Sequence, residues 1–290
     1  MTRGRLAVAV ALLLLAGAGC RRAPSGAAGE DPLAGARTLV DERRYDEAIE
    51  AIGEQGDPEA LYLLGRAWAG KAQAAPVPTP VPGSRGWAPM KPEESQALAF
   101  FERAVAARPD LAAAHLGIAD LLAPLALAAA RRGGAAAGNS TVGRVLESYG
   151  RAIQADPAGT AAVESMIRFA IAAGRVAEAD SAFQELVRRR REDPDVLVRY
   201  GDFLAGPGRN AEGALAQYSQ ELIWRPDDTA TRLKVADIHL TAAATLLAAR
   251  EYAAAEARLR DARRFVADPA STEAARLREM EGRLREIRGR

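Results

Sequence analysis

Small and apolar positions return along this chain at helical spacing, in blocks that end near a proline. Ala97, Phe101, Ala104 and Pro109 are separated by four, three and five residues. The same gaps separate Val145, Tyr149, Ala152 and Pro157, and again Ala214, Tyr218, Glu221 and Pro226. Two further blocks, Ala179 with Phe183 and Leu186, and Ala255 with Leu259 and Ala262, keep the first two gaps; their prolines, Pro194 and Pro269, come late. Gaps of three and four place side chains on one helix face, so each block predicts a helix carrying a small–large–small stripe. The proline removes a backbone donor and marks the stop.

Between these helices lies a second set, best seen at Leu61–Trp68, where Leu64 and Gly65 precede the aromatic Trp68. Tyr200, Gly201 and Leu204 form a weaker copy, and Ala119, Ile167 and Ala236 occupy the glycine position elsewhere. The two sets keep register. Ala97 to Ala119, Val145 to Ile167, Ala179 to Gly201 and Ala214 to Ala236 are each 22 residues apart. A constant offset in an otherwise variable chain is the signature of an internal repeat. Ile167 is expected to push its helix pair apart.

The pattern resembles the tetratricopeptide repeat (TPR), in which a small residue lets two antiparallel helices approach, a large one fills the space between them and a proline ends the second helix. The resemblance covers about residues 32–269. It implies an all-α fold, a right-handed superhelical solenoid of antiparallel helix pairs. The step within a repeat varies, from 12 residues between Ile167 and Ala179 to 32 between Gly65 and Ala97. All insertions therefore fall at the same kind of turn. Seven extra residues between Ala236 and Ala255 lie in an Ala- and Leu-rich stretch and predict a first helix longer by two turns. Residues 76–92, with prolines at 76, 78, 80, 82, 89 and 92, favour extended polyproline II in their first half. This insertion is either a spacer or a partner-contacting arm anchored by Trp87. Residues 131–144, with Gly133, Gly134 and Asn139-Ser140-Thr141, are expected to form a flexible loop. Arg44–Ala48 reads as the second-helix start of a degenerate first repeat. Residues 270–290 hold a final helix from Ser271 to Arg288, with Leu277, Met280, Leu284 and Ile287 as one apolar seam. It reads as a cap for the last repeat, or else as a short dimer contact.

The chain begins differently. Arg3 and Arg5 precede a 13-residue apolar run from Leu6 to Ala18, too short to span a bilayer and the right length for a signal core. It ends at Gly17-Ala18-Gly19-Cys20, and Cys20 is the only cysteine. This resembles a bacterial lipoprotein signal, which implies removal of residues 1–19 and acylation of Cys20. Residues 20–31 would be the lipidated cysteine and a flexible tether. The resemblance implies a lipid-anchored protein of the bacterial cell envelope. Arg21, where some inner-membrane lipoproteins carry Asp, favours the outer membrane, facing the periplasm. Gly17 departs from the pattern, and ordinary cleavage after Ala18 would release a soluble exported protein instead.

Composition narrows the chemistry. Alanine, the strongest helix former, accounts for 67 of 290 residues, and aromatics for only 5 %. A net charge of +1 argues against a nucleic-acid binder, and one Cys with two His leaves little for a metal site or cofactor. No phosphate-binding loop, dinucleotide-binding glycine pattern or serine elbow is present. The chain reads as non-catalytic. His115 and His239 read as packed residues, and Arg188–Arg191 as a solvated helix end. Pro124 is expected to kink or end the apolar helix around Leu116–Ala130.

TPR-like arrays hold peptides or helices in a groove lined by first helices. Carried onto this chain, the groove residues are Tyr62, Arg66, Leu116, Asp120, Glu164, Arg168, Val198, Asp202, Leu233 and Asp237. Their mixed charge suits an amphipathic or extended protein segment of an unidentified partner. The function expected is a membrane-anchored, protein-binding scaffold within an envelope, secretion or pilus assembly. The alternative is a soluble periplasmic carrier or regulator of a small ligand.

Overall fold

The computed structural model describes residues 31–75, 90–131 and 135–289, and within them every regular element is a helix. In chain order these are α1 (Ala34–Asp41), α2 (Tyr45–Ile52), α3 (Pro58–Ala74), α4 (Pro92–Ala107), α5 (Ala112–Arg131), α6 (Ala135–Ala155) and α7 (Ala161–Ala172). They continue with α8 (Val176–Arg189), α9 (Pro194–Ala205), α10 (Ala211–Trp224), α11 (Thr229–Ala248), α12 (Tyr252–Phe265) and α13 (Thr272–Arg288). Each odd-numbered helix up to α11 packs mainly on the even-numbered helix that follows it, and each pair then contacts the next along the chain. The result is an all-α solenoid of helix pairs, with α13 packed on both α11 and α12.

The repeated slots are its core. Ala97, Val145, Ala179, Ala214 and Ala255 are fully buried on the second helices, and Ala119, Ile167 and Ala236 on the facing first helices. The large residues Phe101, Tyr149, Phe183, Tyr218 and Leu259 are at most 3 % exposed. At Gly201 an added Cβ would lie 2.4 Å from the Tyr218 ring, so glycine is required there for the helices to approach. α7 and α8 contact each other less extensively than α9 and α10, pairs of the same two lengths, and Ile167 stands on α7 where α9 has Gly201.

Local chemistry sets the helix ends. Asp57, Asp193 and Asp228 accept from backbone N–H groups at the starts of α3, α9 and α11. Proline occupies the first position of α3, α4 and α9, where its missing donor does no harm. Pro194, which arrives late as a stop for α8, is thus the start of α9. Three first-to-second turns close alike. Arg43, Gly174 and Arg250 have φ of 64°, 68° and 64°, and the next N–H returns to Leu39 O, Ala170 O and Leu246 O at 2.8, 2.8 and 2.9 Å.

Four expectations change. The loop expected over residues 131–144 is helix from Ala135 on, where α6 begins, and α5 and α6 form the most extensive pair among the described helices. Ala126, Ala129 and Val142 are buried there, and a run of good helix formers with a partner to pack on outweighs the cost of Gly143. Of the two outcomes expected at Pro124, a kink or an end, the end does not occur: α5 continues seven residues beyond it to Arg131. The lost backbone bond is offset by burial of Leu122, Ala126 and Ala129 on either side. Arg189 is not a solvated side chain. It is 9 % exposed, donating to Ile153 O at 3.0 Å and Asp156 O at 2.9 Å, and also to Gly159 O, so it satisfies carbonyls at the end of α6 from the end of α8. Ile287 leaves the seam of α13 and is 39 % exposed, whereas Leu277, Met280 and Leu284 are buried.

Elsewhere the expected lengths hold. α11 has 20 residues against 12 in α7 and α9, two turns more. The apolar α5 is the one described helix long and apolar enough to cross a membrane, and it packs against α3, α4, α6 and α7.

One slot carries a charge. Glu221 occupies the position of Ala104, Ala152, Leu186 and Ala262, with 0 % exposure and no hydrogen-bond partner for either oxygen among the described residues. Burial, reinforced by Asp228 nearby, pushes its carboxyl above the ordinary range, against a smaller opposing pull from Thr231 and Arg225. A raised folded-state value means that the contribution of this group is fully present below the unfolded pKa and is lost as pH rises through the folded one.

Glu221→Leu is expected to stabilise the chain at neutral pH by about 1–3 kcal/mol, because an uncompensated buried carboxylate is removed. Urea unfolding at about pH 4 and about pH 8 should show the gain larger at the higher pH; a gain that shrinks as pH rises contradicts the assignment. Gly201→Ala is expected to cost about 1–3 kcal/mol through overlap with Tyr218. Thermal melts of Gly201→Ala and of Gly201→Ala with Tyr218→Leu check this, since the smaller partner should recover part of the loss.

Candidate protein-binding face

Residues three before and one after each small slot lie four apart on α3, α5, α7, α9 and α11, and so share one face of each helix. Seven of the ten sequence-derived residues line two pockets. Tyr62, Arg66, Leu116 and Asp120, from α3 and α5, line a partly open pocket of about 460 Å³. Asp202, Leu233 and Asp237, from α9 and α11, line a second of about 330 Å³. Glu164, Arg168 and Val198 line neither.

Phe101 builds the floor of the first pocket. Its ring is wedged between the backbones of α3 and α5, where a Cβ at Gly65 would be 2.5 Å and one at Gly117 2.7 Å from ring carbons. Tyr62 leans over it, ring centroids 6.0 Å apart at 39°. Burial is the main cause that pushes the Tyr62 phenol above its usual range. Arg66 is fixed by Asp41 of α1 at 2.9 Å. Tyr45 of α2 reaches the same pocket, its ring set so close to Gly70 that a Cβ there would lie 2.3 Å from it. At the rim, Lys91 Nζ donates to Ala72 O and Ala75 O at 2.7 and 2.8 Å, capping α3 from the start of α4. Trp87, the expected anchor of the insertion, and Cys20, the expected lipid site, lie outside the described residues.

The charged groups of this face are already partnered. Tyr149 Oη donates to Asp120 at 2.7 Å, and Tyr218 Oη to Asp202 at 2.7 Å, with Lys234 on the same carboxylate at 2.6 Å. In both cases the large core residue of the second helix reaches the acid that follows the small slot of the first. The Leu259 slot has no hydroxyl, and Asp237 pairs with Arg276 of α13 instead. Glu164 pairs with Arg190 at 3.2 Å, and Arg168 donates to Ser165 at 2.9 Å. Partial desolvation in the pocket raises the Asp120 carboxyl above its ordinary range although the residue remains solvent-exposed, opposed by the Tyr149 hydrogen bond and the charge of Arg168. Burial and the Asp120 charge raise the Tyr149 phenol in turn, and burial with the Asp202 bond raises that of Tyr218.

The two histidines stand apart from this face. His115 is buried with Nε2 2.8 Å from Pro109 O, and His239 stacks on Phe265 with centroids 6.2 Å apart. Among the described residues no three His, Cys, Asp or Glu side chains converge as a metal site. Chemically, the face offers apolar surface from Tyr62 and Leu116 beside one fixed guanidinium and one fixed carboxylate.

Sequence reasoning did not find Phe101, Gly117, Tyr45 or Lys91 as parts of this pocket. A signal existed for Gly117, a glycine inside an Ala- and Leu-rich helix, two residues before the small slot. None existed for Asp41 and Tyr45, which come from the degenerate first pair.

No family model matches this chain, and no curated protein does. Solved structures do. A thermophilic TPR protein of Thermus thermophilus aligns at TM-score 0.41 and 19 % identity, over 71 % of this chain and 96 % of its own. The C-terminal part of a TPR repeat-containing protein from Cytophaga hutchinsonii aligns at TM-score 0.46 and 12 % identity, over 84 % and 83 %. YrrB, described as a TPR protein with an unusual peptide-binding site, aligns at TM-score 0.42 and 14 % identity, over 81 % and 97 %.

The Tyr149–Asp120 bond can be tested by titration. The Asp120 side-chain carboxyl, followed by carbon NMR, should titrate above the ordinary aspartate range, and Tyr149→Phe should raise it further, since a donor to the charged form is lost. A fall in the variant would show that the hydroxyl does not act on this carboxylate.

Proposed function

We propose that this chain is a non-catalytic scaffold that binds an extended segment of a partner protein on the first-helix face, at the pocket between α3 and α5. The observation that carries the reading is the pairing of apolar surface, Tyr62 and Leu116, with two oppositely charged groups, Arg66 beside the exposed Asp41 and Asp120 held by the Tyr149 hydroxyl. Side chains fixed before binding lose little entropy on binding, and opposite charges across an apolar floor suit a peptide with mixed side chains. We further propose that the array is tethered to a bacterial envelope membrane by acyl chains on Cys20, through the tether that precedes α1. The support for this is the sequence alone: a short apolar core, small residues and a single cysteine. In this reading the ligand belongs to an envelope assembly.

A second reading is favoured by the pocket size. About 460 Å³ falls within the range of small-ligand sites, so an exported carrier of a small molecule would use the same residues.

One experiment separates them. The full precursor is expressed in a bacterial host with a photo-crosslinking amino acid at position 62, and in parallel at position 106 on the exposed face of α4. The expected outcome is a discrete protein adduct from position 62 and none from position 106, recovered with membranes and released to the soluble fraction by Cys20→Ser. A soluble parent that co-purifies with a small molecule and gives no adduct would replace the scaffold with the carrier.

A further inference from the structure

The last helix pair holds a recessed surface with different chemistry. α12 and α13 enclose a cleft of about 270 Å³ floored by Leu259 and Leu284, which are 2 % and 6 % exposed. Its walls are guanidinium groups: Arg260 and Arg263 on α12, Arg285 and Arg288 on α13. Each pair is three residues apart and so stands on one helix face. Two carboxylates, Glu256 and Glu281, lie between the walls. They are consumed by ion pairs that cross the cleft in opposite directions, Arg288 to Glu256 at 2.6 Å and Arg263 to Glu281 at 2.5 Å. These pairs cross between α12 and α13, which are packed together through Leu259, Leu277, Met280 and Leu284.

The other two guanidiniums are left over. Arg260 makes no ion pair or hydrogen bond among the described residues, and the field of Glu256 is the interaction it has. Arg285 has one long bond, Nε to Glu281 O at 3.4 Å. Both are exposed, one on each wall of a slot with a leucine floor whose own acids are paired. A guanidinium presents a planar fork of donors that fits a carboxylate, and neither helix contains a lysine.

We propose that the α12–α13 cleft docks an acidic, extended segment of a partner protein, with an aliphatic side chain on Leu259 and Leu284 and flanking carboxylates on Arg260 and Arg285. Charge complementarity selects this occupant. The recessed floor accepts about one side chain, whereas a flat anionic bilayer would press Glu256 and Glu281 against its own phosphates. The site stands on the last helix pair and shares no residue with the α3–α5 pocket, so its success or failure leaves that reading untouched.

The test uses the full chain in detergent and a fluorescein-labelled peptide, Glu-Glu-Glu-Leu-Glu-Glu-Leu-Glu-Glu, followed by anisotropy. A control peptide has every Glu replaced by Gln. The acidic peptide is expected to bind, the control to bind at least about tenfold more weakly, and affinity to fall as salt rises. Arg260→Glu with Arg285→Glu should lower affinity by about tenfold or more. Arg264→Glu with Arg278→Glu, which reverses two exposed arginines that do not line the cleft, should change it by no more than about twofold. Melting curves of both double variants, matched to the parent, confirm that each is folded. The proposal is overturned by equal binding of the control peptide, by equal losses in the two double variants, or by anionic vesicles that displace the peptide while vesicle binding needs Arg260 and Arg285.

Discussion

The array depends on how closely a first helix can approach the ring that its neighbour projects at it. Phe101 fits because two helices, α3 and α5, present glycine to it, and Tyr218 fits because α9 presents Gly201. The contact does more than fill space. Where the large residue is a tyrosine, its hydroxyl reaches the residue that follows the small slot on the first helix. Asp120 and Asp202 stand there and are bonded by Tyr149 and Tyr218. The same packing step that sets the distance between helices therefore orients carboxylates on the candidate binding face. Core and surface are coupled through single side chains.

This explains what could be read in advance. The slot residues are legible because burial against a facing helix favours small, large and small again, and that preference repeats at a constant interval. The ten face residues were legible as positions, since they are defined relative to the slots. Their division into two pockets was not. On α7 Ile167 fills the small slot, and Glu164 and Arg168 turn to Arg190 and Ser165. Pairing across 26 residues, as between Glu164 and Arg190, leaves no local trace in a sequence.

The misread segments share a physical cause. Gly133, Gly134 and Pro124 are strong local signals against helix, and local signals were all that residues 124–144 offered. In the structure α5 and α6 lie along each other, and each extra turn of one finds an extra turn of the other to pack on. Tertiary burial overrides propensity when both partners lengthen together. Arg189 was misread for the opposite reason: a run of four arginines looks solvated, and only the position of the α6 carbonyls singles out the one that is buried. Glu221 stands as a local conflict, a carboxylate where the repeat asks for alanine or leucine, and such conflicts mark places where a fold gives up stability.

The constant junction between a second helix and the next first helix has a consequence for how such a chain can change over time. Four or five residues link α4 to α5, α6 to α7, α8 to α9 and α10 to α11, and at one of these links Arg189 ties the carbonyls of the preceding turn to the following pair. The opposite edge carries all the length variation, from the three residues between α7 and α8 to the segment between α3 and α4. An inherited insertion on the stapled edge would break the 22-residue register between one pair and the next. On the free edge it only lengthens a turn or adds matched helical turns. Variation is thus channelled to one side of the solenoid, where lineages can lengthen or trade segments while the spine stays the same.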